Sequence, residues 1–365
     1  MLLSHCLPIV KPFDDVCNLK CSYCYMEGVI NPSYRIRLMN DDTLFSLTDF
    51  FCSARECVEF IWHGGEPLLA GINFFEKAMH YQEPWIGRGK KIKNSIQTNA
   101  TLVNDEWVSF FRDNKFLVGT SLDGPSHMHN IMRTDGKMGS FDAVMRGIHL
   151  LKEGGIFNGV ICCVSTANCS HPEEVLDFFV AQDIKSIKFL RVKGLDRNGN
   201  PYPGSITPNQ YVDFLLAVFK KWLEIDDPEI EIRNIKSVID ILMGGNFREC
   251  VYMGACYNYV TVYGDGSIYA CDALSQHDFL CFGNVKNRIF ENQNFSKFIE
   301  FIETQKRSCR SCRWFDICRG GCLQDRKIGL DSNGVVENVS CASLKRFYSE
   351  IYSVLGHYDL LSKKC

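Results

Sequence analysis

Short apolar runs alternate with longer amphipathic stretches along the first part of the chain, and the alternation predicts a series of βα units. Leu7 to Val10 reads as a first strand that feeds a polar loop. Cys57 to Trp62 reads as a buried strand, and Gly71 to Tyr81 as the helix after it. Lys91 to Gln97 is a strand, followed by a helix from Asn104 to Asn114 with Asn104 as its cap. Phe116 to Leu122 and Phe157 to Ser165 are strands, with a helix from Ser140 to Gly154 between them. Ser140 is placed to cap that helix, and Gly154-Gly155 to stop it. Pro172 to Gln182 is a helix with proline in its first turn, and Ile184 to Leu190 is another strand. Regular βα alternation implies a parallel sheet with helices outside. About six units fit a partial, open (β/α)6 barrel, with catalytic loops at the carboxyl ends of the strands.

The pattern then changes. Val192 to Gly204 is rich in Gly, Pro and Asn and reads as a loop, followed by helices over Thr207 to Glu224 and Ile235 to Met243. From Cys250 the segments shorten and cysteines become dense. Tyr259 to Tyr263, the turn Gly264-Asp265-Gly266, and Ser267 to Ala270 read as a β-hairpin. The expected division is a barrel over 1–191, a linker with helices over 192–249, and a cysteine-rich domain over 250–365.

Composition changes this picture in one respect. The chain has 365 residues, 46% of them apolar, and a net charge of -3, which gives no reason to expect nucleic acid or an anionic membrane as a partner. Its 19 cysteines are the anomaly. No export signal precedes them, and no run approaches the roughly 20 apolar residues of a membrane span. A reducing, cytoplasmic compartment low in oxygen is therefore expected, with thiolates used for metal.

Cys17, Cys21 and Cys24 are spaced C-x3-C-x2-C in the loop after the first strand. Three thiolates on a four-iron cubane leave its fourth iron without a protein ligand, free to be chelated by a small molecule bearing an amine and a carboxylate. A zinc loop remains open on this spacing alone, although zinc usually takes four ligands in paired spacings. Gly64-Gly65-Glu66-Pro67 follows the second strand. Its glycines allow close approach of the backbone to a ligand, and its carboxylate can accept from an ammonium group. Gln97 and Asn99, then Ser121, end the next two strands on the same face, with Arg133 shortly beyond; a hydroxyl and a guanidinium suit a carboxylate. Near the C-terminus, Cys250, Cys256, Cys271, Cys309, Cys312, Cys318, Cys322 and Cys341 could ligate two further four-iron clusters or a pair of zinc ribbons. Asp272 directly follows Cys271 and is suited to act as a general base. Of the remaining cysteines, Cys57 and Cys162 lie in apparent strands as small core residues. Cys6, Cys52, Cys163, Cys169, Cys281 and Cys365 carry no assigned role.

The cysteine loop, with an aromatic residue before its third cysteine, resembles the signature of the radical S-adenosylmethionine (AdoMet) enzymes. In that family the reduced cluster cleaves AdoMet to a 5'-deoxyadenosyl radical, which abstracts hydrogen from the substrate. The resemblance implies that Gly64, Gly65 and Glu66 hold the amino end of AdoMet. It implies further that Ser121 and Arg133 hold its carboxylate, that Tyr23 lies near its adenine, and that Gln97, Asn99 and Leu195 belong to the cofactor site.

The later cysteines resemble the SPASM module of peptide-modifying members. By that resemblance Cys250, Cys256, Cys271 and Cys322 bind one auxiliary [4Fe-4S] cluster, and Cys309, Cys312, Cys318 and Cys341 the other, three clusters in all. From Lys11 to about Tyr348 the chain is most similar to the anaerobic sulfatase-maturating enzymes, which oxidise a cysteine or serine of a sulfatase to formylglycine. In them an aspartate at the position of Asp272 is the base, and a flavodoxin or ferredoxin type of low-potential donor supplies electrons. His63 departs from the family's usual glutamine. Cys322-Leu323-Gln324-Asp325 replaces its usual arginines, and Val192 to Thr207 differs from its linker. These departures leave the substrate open. A peptide oxidase, a maturase that crosslinks a ribosomally made peptide, and a non-enzymatic iron–sulfur or zinc protein are the readings to separate. A chain with about sixteen residues before its first cluster cysteine, and so no recognition domain there, favours the oxidase.

Overall fold

A computed structural model describes residues 6–26, 37–194, 200–246, 249–254, 256–274, 280–288, 290, 292–326 and 337–357. In chain order these form β1 (Leu7–Val10), α1 (Asp41–Ala54), β2 (Cys57–Trp62), α2 (Ile72–Gly87), β3 (Lys91–Thr98), α3 (Asp105–Asp113), β4 (Leu117–Ser121) and α4 (Ser126–Met132). Next come α5 (Phe141–Glu153), β5 (Phe157–Val164), α6 (Pro172–Ala181), β6 (Ser186–Arg191), α7 (Pro208–Ile225), β7 (Glu231–Ile232), α8 (Arg233–Leu242) and α9 (Cys250–Met253). The last are β8 (Tyr259–Val262), β9 (Ser267–Tyr269), β10 (Cys281–Asn284), α10 (Gln293–Arg307), α11 (Phe315–Cys318) and α12 (Cys341–His357).

The strands expected from the apolar runs are present near their expected bounds. Asn104 caps α3 as expected, its Oδ1 accepting from the Trp107 amide at 3.0 Å. Three local expectations are corrected. Cys57, expected as a small core residue, is exposed, because it falls on the outer side of the alternation along β2; Cys162 is buried as expected. Helix α2 does not stop at Tyr81 but continues through Pro84 to Gly87. The buried Gln82 holds that last part in place, exchanging hydrogen bonds of 2.8 and 3.2 Å with Asn94 of β3. Ser140 stands at the N-cap of α5, but its side chain makes no capping bond. Its Oγ donates to the Arg133 carbonyl at 3.2 Å instead. Helices α1, α4, α9, α10, α11 and α12 and strands β7 and β10 were not expected.

By contacts the described chain divides into two compact units, each assembled from separate stretches of sequence. The first comprises Met1–Ser121, Arg133–Asn158 and Tyr257–Ile299. Its strands lie in the order β10-β9-β8-β1-β2-β3-β4. β1 to β4 are parallel neighbours, and β8 pairs with β1 in parallel. The β8–β9 hairpin and β10 continue antiparallel from there. The core of this unit is aromatic: Phe51, Phe60, Trp62, Phe75, Phe111 and Phe116 are all at most 1% exposed. Their rings meet edge-on, tilted or stacked at 5.3 to 6.4 Å between centroids, the geometry that such quadrupoles prefer.

The second unit comprises Leu122–Met132, Gly159–Cys256 and Glu300–Cys365. Strands β5, β6 and β7 are parallel, and α6, α7, α8 and α12 pack together in sequence-distant pairs. Thr207 and Gln210 form a complete capping box at the start of α7. Phe189 and Phe214 meet at 5.0 Å in its core. No helix of the described residues is long and apolar enough to cross a membrane.

Candidate active site

Register brings the loops of the first unit together. Val10 of β1 lies opposite Trp62 of β2 and Val262 of β8. The next residues, Lys11, His63 and Tyr263, therefore stand side by side at the carboxyl ends of their strands. Thr98 of β3 lies opposite Thr120 of β4, which sets Asn99 and Ser121 at the same edge. In parallel sheets this edge is where ligands bind.

Glu66 is fully buried. Its carboxylate accepts from the Leu68 amide at 3.0 Å, the Thr98 hydroxyl at 2.7 Å and the Asn99 amide at 2.7 Å. Burial pushes its pKa from 4.5 up to about 7, against these three donors. The Glu66 amide donates to the Val16 carbonyl at 2.7 Å, tying this turn to the cysteine loop. Gly64 and Gly65 have φ of +105° and +56°. A Cβ on Gly65 would lie 2.1 Å from the Val16 carbonyl oxygen, so only glycine fits there.

The loop of Cys17, Cys21 and Cys24 is braced from below. Asn99 Nδ2 reaches the Cys17 sulfur at 3.7 Å and the Asn18 side-chain oxygen at 2.9 Å, and the Leu19 amide donates to the same sulfur at 3.4 Å. Partial burial pushes the Cys17 thiol up to about 11; the Leu19 amide opposes the rise, and Glu66, Cys21 and Cys24 add to it. Thiols that raise one another in this way gain from a shared cation, and donors aimed at sulfur are suited to a ligated thiolate. Among the described residues no three His, Cys, Asp or Glu side chains converge as a single ion requires. The thiolates of a cubane bind separate irons and need not converge. Beside the loop, Arg133 and Tyr23 are both buried, the guanidinium 5.4 Å from the ring centre. Gln97 Nε2 donates to the Ser121 hydroxyl at 3.1 Å.

Asp272, which begins a single helical turn after Cys271, is 6% exposed. Lys11 Nζ lies 2.8 Å from its Oδ1, and the Tyr25 hydroxyl donates to its Oδ2. His63 Nε2 is 3.9 Å from the same Oδ2, while its Nδ1 is buried with no hydrogen-bond partner among the described residues. Burial acts to raise the Asp272 pKa, but Lys11 foremost, then His63 and Tyr25, outweigh it and hold the carboxyl below its ordinary value. Lys11 itself is wholly buried, bound also to Asp15 at 2.5 Å and the Tyr263 hydroxyl at 3.0 Å. Its stem fills the space a Gly64 Cβ would need. Lys11, Tyr25 and Tyr263 were not singled out from the sequence, and His63 was given no role. Adjacency to Cys24 was the available signal for Tyr25; Lys11 had none, since a lysine at a strand end normally reads as surface.

In the second unit two sets of cysteines act on one another, Cys250, Cys256 and Cys322 in one and Cys309, Cys318 and Cys341 in the other. Burial, then Cys322 and Cys250, push the Cys256 thiol up to about 12. Burial, with Cys341 and Cys309, pushes Cys318 up to about 11 against the Gly320 amide. Cys312 follows one turn after Cys309, its amide bonded to the Cys309 carbonyl at 2.9 Å. Cys271 belongs to the first unit, where it acts on Tyr25 together with Cys24. Leu195 and Cys365 lie outside the described residues.

Residues 12–179 match the model of the Radical SAM superfamily. With its open parallel α/β sheet and a three-cysteine loop at the end of β1, this is a radical SAM enzyme. A cysteine-type anaerobic sulfatase-maturating enzyme of Clostridium perfringens is 33% identical over 353 residues, covering 93% of this chain and 94% of that one. A serine-type anaerobic sulfatase-maturating enzyme of Bacteroides thetaiotaomicron is 30% identical, covering 98% and 91%. A solved structure of native anSMEcpe with bound AdoMet and Cp18Cys peptide superposes with a TM-score of 0.86 at 31% identity, over 97% of this chain and 99% of that one. The chain belongs to the anaerobic sulfatase-maturating enzymes. Enzymes of this kind use a [4Fe-4S] cluster and AdoMet, and the sulfatase maturases carry auxiliary clusters as well.

Proposed function

We propose that this enzyme oxidises a cysteine or serine side chain of a protein substrate to formylglycine. The observation that supports the reading most directly is the Asp272 carboxylate, buried and held charged by Lys11 at the mouth of the same strands that carry the cysteine loop. Cys17, Cys21 and Cys24 would hold the [4Fe-4S] cluster that binds AdoMet. Glu66 with Gly64 and Gly65 would hold the ammonium end of AdoMet, Ser121 and Arg133 its carboxylate, and Tyr23, Gln97, Asn99 and Leu195 would line its site. Cys250, Cys256, Cys271 and Cys322 would hold one auxiliary cluster, and Cys309, Cys312, Cys318 and Cys341 the other. When bound, these groups supply abstraction of the substrate Cβ hydrogen atom and an outlet for the electron that follows.

The chain's own residues handle the proton. Asp272 takes it from the substrate thiol or hydroxyl as the carbon–heteroatom double bond forms. Lys11 and Tyr25 fix the two carboxylate oxygens so that the base meets the substrate in one orientation. His63 is one-third exposed and lies 3.9 Å from Asp272, at the position where the family usually has glutamine. A low-potential electron carrier and a cytoplasmic setting complete the reading.

The test is mass spectrometry of a sulfatase-derived cysteine peptide after anaerobic reaction with AdoMet and reductant. Exchange of the thiol for an aldehyde oxygen, with capture of the product by a hydrazide, is the expected result. Loss of hydrogen with sulfur retained would point to a crosslinking maturase and overturn it. Asp272→Asn is expected to release 5'-deoxyadenosine at a near wild-type rate while losing about 100-fold or more of the aldehyde, the usual scale for a general base. Unchanged aldehyde yield would remove Asp272 from the base role.

A further inference from the structure

Arg326 is 5% exposed and lies against the second group of cysteines. Its terminal nitrogen donates to the Cys309 sulfur at 3.7 Å and to the Gly320 carbonyl at 3.0 Å. The same carbonyl accepts from Asn338 Nδ2 at 3.3 Å, and Arg326 and Asn338 pair as an isolated bridge. Together they clamp Gly320-Gly321, the turn between Cys318 and Cys322. A Cβ on Gly321, at φ +70°, would lie 2.9 Å from the Asn338 amide nitrogen and 3.6 Å from the Cys318 sulfur, so a side chain there would push on the clamp. Arg326 also lines the small cavity that contains Cys256. The adjacent acid, Asp325, is engaged elsewhere, by Arg191 at 2.5 Å and Lys193 at 2.8 Å. A permanently charged guanidinium thus touches a proposed ligand sulfur from inside the protein.

We propose that Arg326 is the positioning residue that sets the reduction potential of the auxiliary cluster held by Cys309, Cys312, Cys318 and Cys341. The inference rests on the reading that these cysteines bind a cluster. Reduction of a [4Fe-4S] centre from 2+ to 1+ adds one electron and no atoms, so the cluster with its four thiolates becomes more negative. A buried cation that donates to one of those sulfurs stabilises the more negative state and raises the potential. Arginine suits this task because it stays charged at any pH the protein survives.

The test is an anaerobic redox titration of the reconstituted holoenzyme with dithionite, followed by EPR, without AdoMet or substrate, together with iron analysis. Arg326→Gln and Arg326→Met are expected to keep the wild-type iron content and to shift one auxiliary signal to a more negative potential. Arg326→Lys is expected to restore most of the shift. Wild-type potentials in Arg326→Gln at full iron content would overturn the proposal. Equal loss of iron in all three variants, Arg326→Lys included, would do so too, since it would show a role in folding alone. A wild-type protein that holds no auxiliary iron would instead overturn the cluster assignment on which the inference rests.

Discussion

Glu66 carries two opposing influences. Three donors favour its ionised form, yet complete burial wins and lifts its pKa from 4.5 to about 7. The folded chain therefore holds a proton there that the unfolded chain gives up at lower pH. The stability linked to this proton is fully present below about 4.5 and is lost as pH rises through about 7. A shift of this size is worth about 3.5 kcal/mol at most, at about 1.4 kcal/mol per unit. The thermal midpoint, followed from pH 5 to pH 8, is expected to fall more steeply in the wild type than in Glu66→Gln. Equal slopes would show that Glu66 is ionised throughout. Glu66 was legible in the sequence because Gly64-Gly65-Glu66-Pro67 is a compact motif with one plausible chemistry. Lys11 was not, because nothing local marks it. Its importance comes from Asp15, Tyr263 and Asp272, two of them some 250 positions away, and no spacing rule reaches that far.

At the scale of elements, strand positions were readable from the apolar runs, and with them the edge that carries the site. What the runs do not encode is how each turn is filled. Gly64 and Gly65 look equivalent in sequence, but a Cβ on each would strike different things. On Gly65 it meets the Val16 carbonyl, one residue before Cys17, at 2.1 Å; on Gly64 it meets the pinned Lys11 stem at 2.6 Å. Both substitutions also place alanine at positive φ, so each is expected to cost about 2 kcal/mol or more. Their functional signatures should differ. Gly65→Ala displaces the cysteine loop and is expected to lower iron content and 5'-deoxyadenosine release together. Gly64→Ala moves Lys11 away from Asp272 and is expected to keep iron and cleavage while reducing aldehyde. Iron analysis beside the two product assays separates them, and identical profiles would deny the division of labour between the turns. The missed cap at Ser140 has a local backbone cause: at φ -96°, ψ -1° the residue is helical rather than extended, so its hydroxyl is not set to accept from the first-turn amides and instead donates to the Arg133 carbonyl.

At the scale of the molecule, the cysteines carry most of what the sequence could reveal, because metal ligation demands fixed residue types at fixed separations. The compact units were less legible, since each is assembled from three separate stretches and the β8–β9 hairpin joins β1 from far along the chain. The ligand sets can nevertheless be tested one at a time. Three cubanes predict about twelve irons in the reconstituted protein, four per set. Cys17→Ala, Cys21→Ala and Cys24→Ala combined should retain about eight and release no 5'-deoxyadenosine. Cys309→Ala and Cys312→Ala combined should also fall to about eight, yet retain AdoMet cleavage, because the thiols grouped with Cys318 are distinct from those grouped with Cys17. If the second pair of substitutions silenced cleavage while its iron fell by only one set, cleavage would depend on the auxiliary centre, and the assignment of AdoMet to the β1 loop alone would fail.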